Sequence, residues 1–232
     1  MIEREADYRA RDIRFDPAGS SFTVDTPDGP LELVTRLPGL FNVQNTLAAV
    51  AAARALGVAD EAIRAGLAAA DRVPGRFEPV DEGQEFSVLV DYAHTPEALD
   101  NVLRAARDLT RGRLHVVFGA GGDRDRGKRP LMGRVASELA DRVIVTSDNP
   151  RSEDPEAIVE EVMAGTSGDA EREVDRRRAI ALAVQTALPG DVVVIAGKGH
   201  EQGQEFEGGR KEPFDDVTVA REALRSALGV GA

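Results

Sequence analysis

The chain has 232 residues, enough for one large domain or for one domain with a smaller piece. Its formal net charge of -12 argues against nucleic acid and anionic membranes as partners, and it has no cysteine for a disulfide or a thiolate metal site. Because no apolar run could span a membrane and no signal-peptide pattern is present, we expect a cytoplasmic protein without membrane partners, and a monomer.

The N-terminal part predicts a small antiparallel sheet followed by helices. Apolar and polar residues alternate over 12–16, 21–25 and 31–34, with turn residues between these segments. Residues 1 to about 10 are charged, and we expect them to fray. A helical pattern over 42–56, with Asn42 as the expected N-cap, precedes a second helix at about 60–70.

From residue 86 onward, buried strands and helices alternate, which predicts an α/β fold with a Rossmann-like, mostly parallel sheet flanked by helices. The expected strands are 86–91, 114–118, 142–146 and 191–196, and the expected helices are 96–110, 130–140, 155–164, 177–187 and 214–228. We interpret 166–173 as a polar connection and 204–211 as a hairpin or loop. The simplest interpretation of the arginine run before and at the start of helix 177–187 is a solvated helix start. Right-handed crossovers should bring the loops after these strands to one edge of the sheet.

A glycine-rich, charged loop follows the strand at 114–118. Residues 122–129 nearly spell the nucleoside-triphosphate P-loop G-x-x-x-x-G-K-[ST], but Arg129 stands where the magnesium-binding hydroxyl belongs. We prefer a second interpretation, in which alternating Arg and Asp beside a helix N-terminus bind an amino acid, since Arg binds carboxylates in a bidentate way.

Three motifs carry a resemblance to a known family. GGDRDRGKRPLM, DNPR and GKGHE, in that order, resemble the Mur ligase family, in the branch that adds the third residue of the peptidoglycan stem peptide. DNPR is similar to the signature of the members that use meso-diaminopimelate. The resemblance covers nearly the whole chain but only the C-terminal half of the family enzyme, which implies that residues 1–75 end the central ATP-binding domain and that 76–232 form the amino-acid-binding domain.

The resemblance also implies two sets of site residues. The expected meso-diaminopimelate ligands are Arg124, Asp148, Asn149, Pro150, Arg151, Gly197 and Glu201. The arginines suit a carboxylate, whereas Asp148 and Glu201 suit ammonium groups. Lys198 and His200 lie nearby in sequence without an assigned role.

The expected nucleotide ligands are Asn42, Asn45, Arg76, Asp91 and His94. Asp91, at a strand end, could accept ribose hydroxyls, as acidic residues do in other nucleotide sites. The other four have simpler alternatives: a helix cap for the asparagines, a solvated surface side chain for Arg76, and a structural role for His94.

In the family, ATP with Mg²⁺ activates the carboxylate of UDP-MurNAc-L-Ala-D-Glu as an acyl phosphate, which the incoming amine attacks. We find no segment that resembles the family's P-loop, its carbamylated lysine or its metal site, so we expect no catalytic or metal-binding residue here and no activity from this chain alone. The alternative function is a stand-alone module that binds diaminopimelate or nucleotide without catalysis.

Overall fold

A computed structural model of the protein describes residues 6–16 and 18–230. Residues 1–5 of the stretch expected to fray lie outside this part, and the expectation is wrong for Arg9 and Ala10, which belong to the first strand. Contacts within the chain divide it into two compact units, Met1–Arg72 and Val73–Ala232.

The first unit is a three-stranded antiparallel sheet with two helices, which confirms the predicted meander. Its elements are β1 (Arg9–Asp16), β2 (Gly19–Asp25), β3 (Leu31–Thr35), α1 (Leu40–Ala55) and α2 (Asp60–Ala69). Alternate residues of β2 and β3 are buried, and the apolar ones, Phe22, Val24, Leu31 and Leu33, join Val43 from α1 in one apolar cluster. The unit's core therefore lies between one face of the sheet and the helices.

The predicted cap of α1 is wrong. The helix begins at Leu40, its N-cap is Gly39 with φ 95°, and no side chain caps it. Asn42 lies within the first turn, 7% exposed, and its Nδ2 donates to the carbonyl of Pro38 at 2.8 Å. A glycine at positive φ turns the chain sharply into the helix here, so the start falls earlier than the side-chain pattern indicated.

The second unit is a six-stranded sheet with helices, and it confirms the predicted α/β class. The strands are β4 (Glu78–Val80), β5 (Ser87–Asp91), β6 (Leu114–Phe118), β7 (Arg142–Val145), β8 (Glu171–Arg172) and β9 (Val192–Ala196), in the order β4-β5-β9-β6-β7-β8. The helices are α3 (Pro96–Leu109), α4 (Lys128–Leu139), α5 (Pro155–Met163), α6 (Arg176–Thr186) and α7 (Asp216–Leu228). All neighbouring strands pair in parallel except β4, which is antiparallel to β5.

The central strands β6 and β9 are buried along their whole length. Strands covered on both faces read as continuous apolar runs, which explains why these were visible in the sequence. The two edge strands were not predicted. β4 has three residues, and β8 has two and lies inside the expected polar connection, so both are too short to show a pattern.

The parallel register places the carboxyl ends of β5, β9, β6 and β7 along one edge of the sheet. The loops that begin at Tyr92, Gly119, Thr146 and Gly197 therefore emerge together, as predicted. A hairpin of β10 (Gly203–Glu205) and β11 (Lys211–Pro213), joined through a 3-10 turn at Glu207–Gly209, follows the loop after β9. Within 6–16 and 18–230, no helix has the length and apolar character needed to cross a membrane.

Candidate functional site

The glycine-rich loop after β6 packs directly on the loop after β7. A Cβ added at Gly119 would overlap the carbonyl oxygen of Thr146, and one added at Gly122 would overlap that of Pro150. The amide of Gly122 donates to the carbonyl of Asn149 at 2.8 Å. These glycines allow backbone to approach backbone, which holds the two loops together.

Asn149 joins three segments at the centre of the site. Its Oδ1 accepts from Lys198 Nζ at 2.8 Å and from the amide of Glu205 at 2.9 Å. Its Nδ2 donates to Glu201 Oε2 at 2.8 Å. Through this one side chain the loop after β7 is bonded to the loop after β9 and to the hairpin.

Lys198, which sequence reasoning left without a role, is fully buried in this network. Its ammonium lies 2.8 Å from Asn149 Oδ1, 3.2 Å from Glu201 Oε2 and 4.0 Å from Asp148 Oδ1. A buried cation requires such partners, so Lys198 orders the acidic side chains around it. A lysine between two glycines immediately after a buried strand was the available signal.

The guanidinium of Arg151 uses only some of its hydrogen-bond donors within the protein. Its backbone has a φ of 54°, which is uncommon for a residue other than glycine, and its amide donates to the carbonyl of Glu205 at 3.0 Å. Nε donates to Glu205 Oε2 at 3.0 Å and Nη1 to the carbonyl of Gly122 at 2.8 Å. Nη2 has no hydrogen-bond partner among the described residues, so its two N–H donors remain available to a ligand.

A cavity of about 550 Å³ opens beside these side chains. It is lined by Asn149, Arg151, Glu201, Gln202, Gly203, Glu205, Lys211, Glu212 and Pro213. Arg151 and Lys211 bring positive charge to it, and three glutamates bring negative charge. A wall with both signs suits a zwitterionic ligand with carboxylate and ammonium groups.

The structure therefore brings most of the predicted ligand set together, at different depths. Asn149, Arg151 and Glu201 line the cavity, whereas Asp148, Pro150 and Gly197 are buried behind it. Gly197 has a φ of 122°, and a Cβ there would lie 2.5 Å from Asp148 Oδ2.

Arg124 is exposed and does not line the cavity. Its Nη1 donates to the carbonyl of Asp123 at 2.8 Å. It is nevertheless a neighbour of Arg151: a Cβ on Gly121 would lie 2.9 Å from Arg151 Nη1 and 3.9 Å from Arg124 Cγ.

A buried ion pair lies behind the loops, and sequence reasoning missed it. Arg176, predicted as part of a solvated run, is 1% exposed, and its Nε and Nη2 donate to Asp216 at 2.8 and 2.7 Å. Nη2 also donates to the carbonyl of Ala196 at 3.0 Å, and Nη1 lies 3.4 Å from that of Ser147. The guanidinium thus ties the ends of β9 and β7 to the start of α7.

Arg129, the residue at the P-loop hydroxyl position, has a structural role here. Its guanidinium is buried and donates to Glu153 at 2.7 and 2.9 Å and to Glu161 at 2.8 Å. The hydrogen bonds from Arg129 hold the pKa of Glu153 at about 2, well below the ordinary 4.5. The ion pairs anchor α4 to α5, and they explain why an arginine stands at this position.

Aromatic and cationic side chains form a second group after β5. The guanidinium of Arg76 lies 4.5 Å from the ring centroid of Tyr92, and the rings of His94 and His200 lie 4.6 and 5.3 Å from it. Lys128 Nζ donates to the carbonyl of His94 at 2.7 Å, and burial lowers the pKa of Lys128. This arrangement offers a stacking surface beside positive charge, which fits a nucleotide base and its phosphates.

Asp91 is less accessible than expected. It is 8% exposed, and its two oxygens accept from the amides of Phe77 and Ala93, both at 2.8 Å. Burial raises its pKa. The remaining nucleotide candidates, Asn42 and Asn45, belong to the first unit, where Asn45 Nδ2 lies 3.5 Å from Asn42 Oδ1. Across the described residues, no three or more His, Asp or Glu side chains are grouped so as to hold a metal ion.

Two stretches of the chain match known protein families. Residues 75–199 match the family described as Mur ligase, glutamate ligase domain. Residues 2–53 match the family described as Mur ligase middle domain.

Two similar curated relatives are bacterial ligases that share one name. The UDP-N-acetylmuramoyl-L-alanyl-D-glutamate--2,6-diaminopimelate ligase of Syntrophomonas wolfei is 49% identical over 231 residues, which cover 98% of this chain and 47% of the relative. The ligase of the same name from Streptomyces avermitilis is 48% identical over 233 residues, covering 97% of this chain and 46% of the relative. The chain therefore spans about half the length of the curated relatives it matches.

Solved structures agree with these relatives. A ligase of that name superposes with a TM-score of 0.71 at 40% identity, covering 98% of this chain and 47% of the other. UDP-N-acetylmuramate-alanine ligase MurC from Thermotoga maritima has a TM-score of 0.68 at 20% identity, covering 98% and 47%, and shares the fold. With a family match over more than half its residues, this chain belongs to the Mur ligase family.

Proposed function

We propose that this chain is the C-terminal part of an ATP-dependent amide-bond ligase that adds meso-diaminopimelate to UDP-MurNAc-L-Ala-D-Glu in peptidoglycan synthesis. Residues 76–232 bind the amino acid, and residues 1–75 complete the central ATP-binding domain. The two family matches support this division, and the names of the most similar relatives support the reaction.

The open guanidinium edge of Arg151 beside a mixed-charge cavity is the observation that carries the proposal. Diaminopimelate and lysine share a long chain and two ammonium groups, but only diaminopimelate has a second carboxylate. We assign that carboxylate to Arg151, with Arg124 as its neighbour across Gly121.

An ammonium group of the ligand has a matching acceptor in Glu201. Oε2 of Glu201 is taken by Asn149 and Lys198, whereas Oε1 accepts no hydrogen bond from the described residues. Lys198 and Asn149 thus fix the carboxylate and leave one oxygen for the ligand. Asp148, Pro150 and Gly197 shape the wall that holds these groups in place.

The residues of this chain would contribute positioning to the reaction. ATP, with Mg²⁺, supplies the phosphoryl group that activates the acceptor carboxylate. The cavity orients the amine of diaminopimelate, and holding two reactants in the right geometry can supply much of a rate enhancement. Catalysis by the chain alone is not part of the proposal.

We assign nucleotide contacts to the group around Tyr92, which comprises Arg76, His94, His200 and Lys128. Asn42 and Asn45 stay candidates in the first unit. Each oxygen of Asp91 accepts one backbone amide, which orders the turn after β5, and each has a second acceptor site. Asp91 therefore stays a candidate for the ribose hydroxyls.

A binding module without catalysis is the second candidate function. One observation favours this candidate. All residues that line the cavity belong to the second unit, so this unit contains the whole binding cavity. Mass spectrometry of the native gene product separates the candidates: a chain about twice this length supports the ligase, and a chain of this length supports the module.

The binding proposal is tested by replacing Arg151. Loss of a hydrogen bond to a charged group costs about 1.5–3 kcal/mol, which corresponds to roughly a ten- to a hundredfold loss of affinity. Calorimetric titration should show that Arg151→Ala weakens the binding of meso-diaminopimelate by that factor and hardly changes the binding of lysine. Arg151→Asn should behave in the same way, since asparagine tolerates the positive φ.

Arg104→Ala is the matched control, because it removes the same charge from a residue that does not line the cavity. Arg104 lies exposed on α3 and pairs with Asp100. This substitution should change neither affinity. If Arg151→Ala leaves the preference for diaminopimelate over lysine as it is in the unaltered chain, the assignment of Arg151 is wrong.

A further inference from the structure

We infer that Lys211 is a second specificity-determining cation for the distal carboxylate of the ligand, and that Glu205 is the positioning residue that holds Lys211 and Arg151 side by side. The inference rests on the proposed diaminopimelate site and assigns it two residues of the β10–β11 hairpin.

Glu205 bridges the two cations. Its Oε2 lies 3.0 Å from Arg151 Nε, and its Oε1 lies 2.9 Å from Lys211 Nζ. Glu205 and Lys211 are direct cross-strand partners in the hairpin. Opposite charges at such positions attract, so the hairpin itself presents the carboxylate and the ammonium on one face.

The backbone fixes Glu205 against the loop after β7. Its amide donates to Asn149 Oδ1 at 2.9 Å, and its carbonyl accepts from the amide of Arg151 at 3.0 Å. An isolated bridge between Arg151 and Phe206 continues this pairing. Glu205 is therefore held beside the binding residues, and Lys211 is held there through Glu205.

The charges explain why a second cation is needed. Arg151 and Glu205 alone are a neutral pair, which offers a carboxylate little net attraction. Lys211 brings the trio to a net charge of +1, which matches one carboxylate. The hydrogen bond of Lys211 and the charge of Arg151 hold the pKa of Glu205 below its usual range, so Glu205 stays ionised and the balance holds at neutral pH.

Donors are also available. Nη2 of Arg151 has no partner among the described residues, and an ammonium group has three N–H donors, of which Lys211 uses one on Glu205. Both side chains line the same cavity. Since the side chain of Lys211 is 68% exposed, its ion pair adds little to stability, and its replacement should leave the fold intact.

The test compares Lys211→Gln with the double variant Lys211→Gln/Glu205→Gln in calorimetric titrations of meso-diaminopimelate and lysine. In Lys211→Gln the charge of Arg151 is balanced by that of Glu205. We expect about a five- to tenfold loss of diaminopimelate affinity and no change in lysine affinity. The double variant returns the site to +1 and should regain most of the loss. A purely structural role for Lys211 would give no such rescue. Arg104→Gln removes the same charge from α3, where Arg104 pairs with Asp100 and does not line the cavity, and is the matched control; it should change nothing.

Four results would overturn the inference. If the unaltered chain prefers diaminopimelate and Lys211→Gln binds it equally well, Lys211 has no role although the proposed function stands. If Lys211→Gln weakens both amino acids alike, or the double variant shows no recovery, the charge argument fails. If the unaltered chain shows no preference for diaminopimelate over lysine, the proposed function fails and the inference with it.

Discussion

Removing the buried guanidinium of Arg176 should destabilise the second unit strongly. Arg176→Met leaves the carboxylate of Asp216, which is 0% exposed, without its cation. Breaking a buried pair on one side costs about 3–5 kcal/mol, because the remaining charge is desolvated and uncompensated. The carbonyls of Ala196 and Ser147 lose their donor as well, and we expect the upper half of this range.

The double variant Arg176→Met/Asp216→Leu should be less destabilised than Arg176→Met. It removes both buried charges, and apolar replacement of a buried ion pair is often neutral. The two carbonyls stay without a partner, so we expect a loss of about 1–3 kcal/mol relative to the unaltered chain.

Native-state hydrogen exchange is the appropriate assay, because the chain has two units and one unfolding curve could mix them. The free energy of opening is read from amides of the central strand β9, Val193 to Ile195. If the double variant is as unstable as Arg176→Met, the loss comes from packing or from the carbonyls, and the argument from an uncompensated charge is refuted.

Two further predictions concern the same unit. Gly197→Ala should cost about 2–4 kcal/mol, because it combines strain at a φ of 122° with an overlap with Asp148. Gly209→Ala, at a φ of 75° with nothing within 4 Å, should cost about 1 kcal/mol, and equal losses by native-state hydrogen exchange would contradict the close contact. The lowered pKa of Glu153 stabilises the fold fully above its ordinary value of 4.5 and progressively less as pH falls towards about 2. Unfolding free energy between pH 5 and pH 2.5 should therefore fall by about 2 kcal/mol more in the unaltered chain than in Glu153→Gln, and parallel curves would show that the Arg129 pair contributes nothing.

The sequence predicted the sheet because its central strands are continuous apolar runs. β6 and β9 are covered on both faces, and each is followed directly by a glycine. The strands, the loops after them and the sheet edge where these loops lie could therefore be inferred. The site residues followed from motifs on those loops. Asn149, Arg151 and Glu201 were predicted together and do line one cavity.

The sequence could not show which polar residues are buried. Arg176 stands in a run of three arginines, and only the distant Asp216 distinguishes it from its exposed neighbours. Asp91 was predicted as a ligand-binding carboxylate at a strand end, and the pattern did not show that its oxygens also accept backbone amides. Such partners are set by tertiary contacts, which local patterns do not carry.

The hairpin partners escaped notice for a related reason. Glu205 and Lys211 are separated by six positions of loop-like sequence, and their relation to Arg151 depends on pairing between β10 and the loop after β7. The interpretation of residues 204–211 as a hairpin or loop was consistent with the structure but gave no direction for either side chain.

The central claim, that the cavity binds meso-diaminopimelate, is tested most directly by titrating that amino acid into the unaltered chain while following backbone amide chemical shifts by NMR. The claim predicts saturable shifts centred on Asn149, Arg151, Glu201 and Glu205, with lysine at the same concentrations producing much smaller ones. Equal responses to the two amino acids, or shifts centred on the group around Tyr92 with none at the cavity, would contradict it.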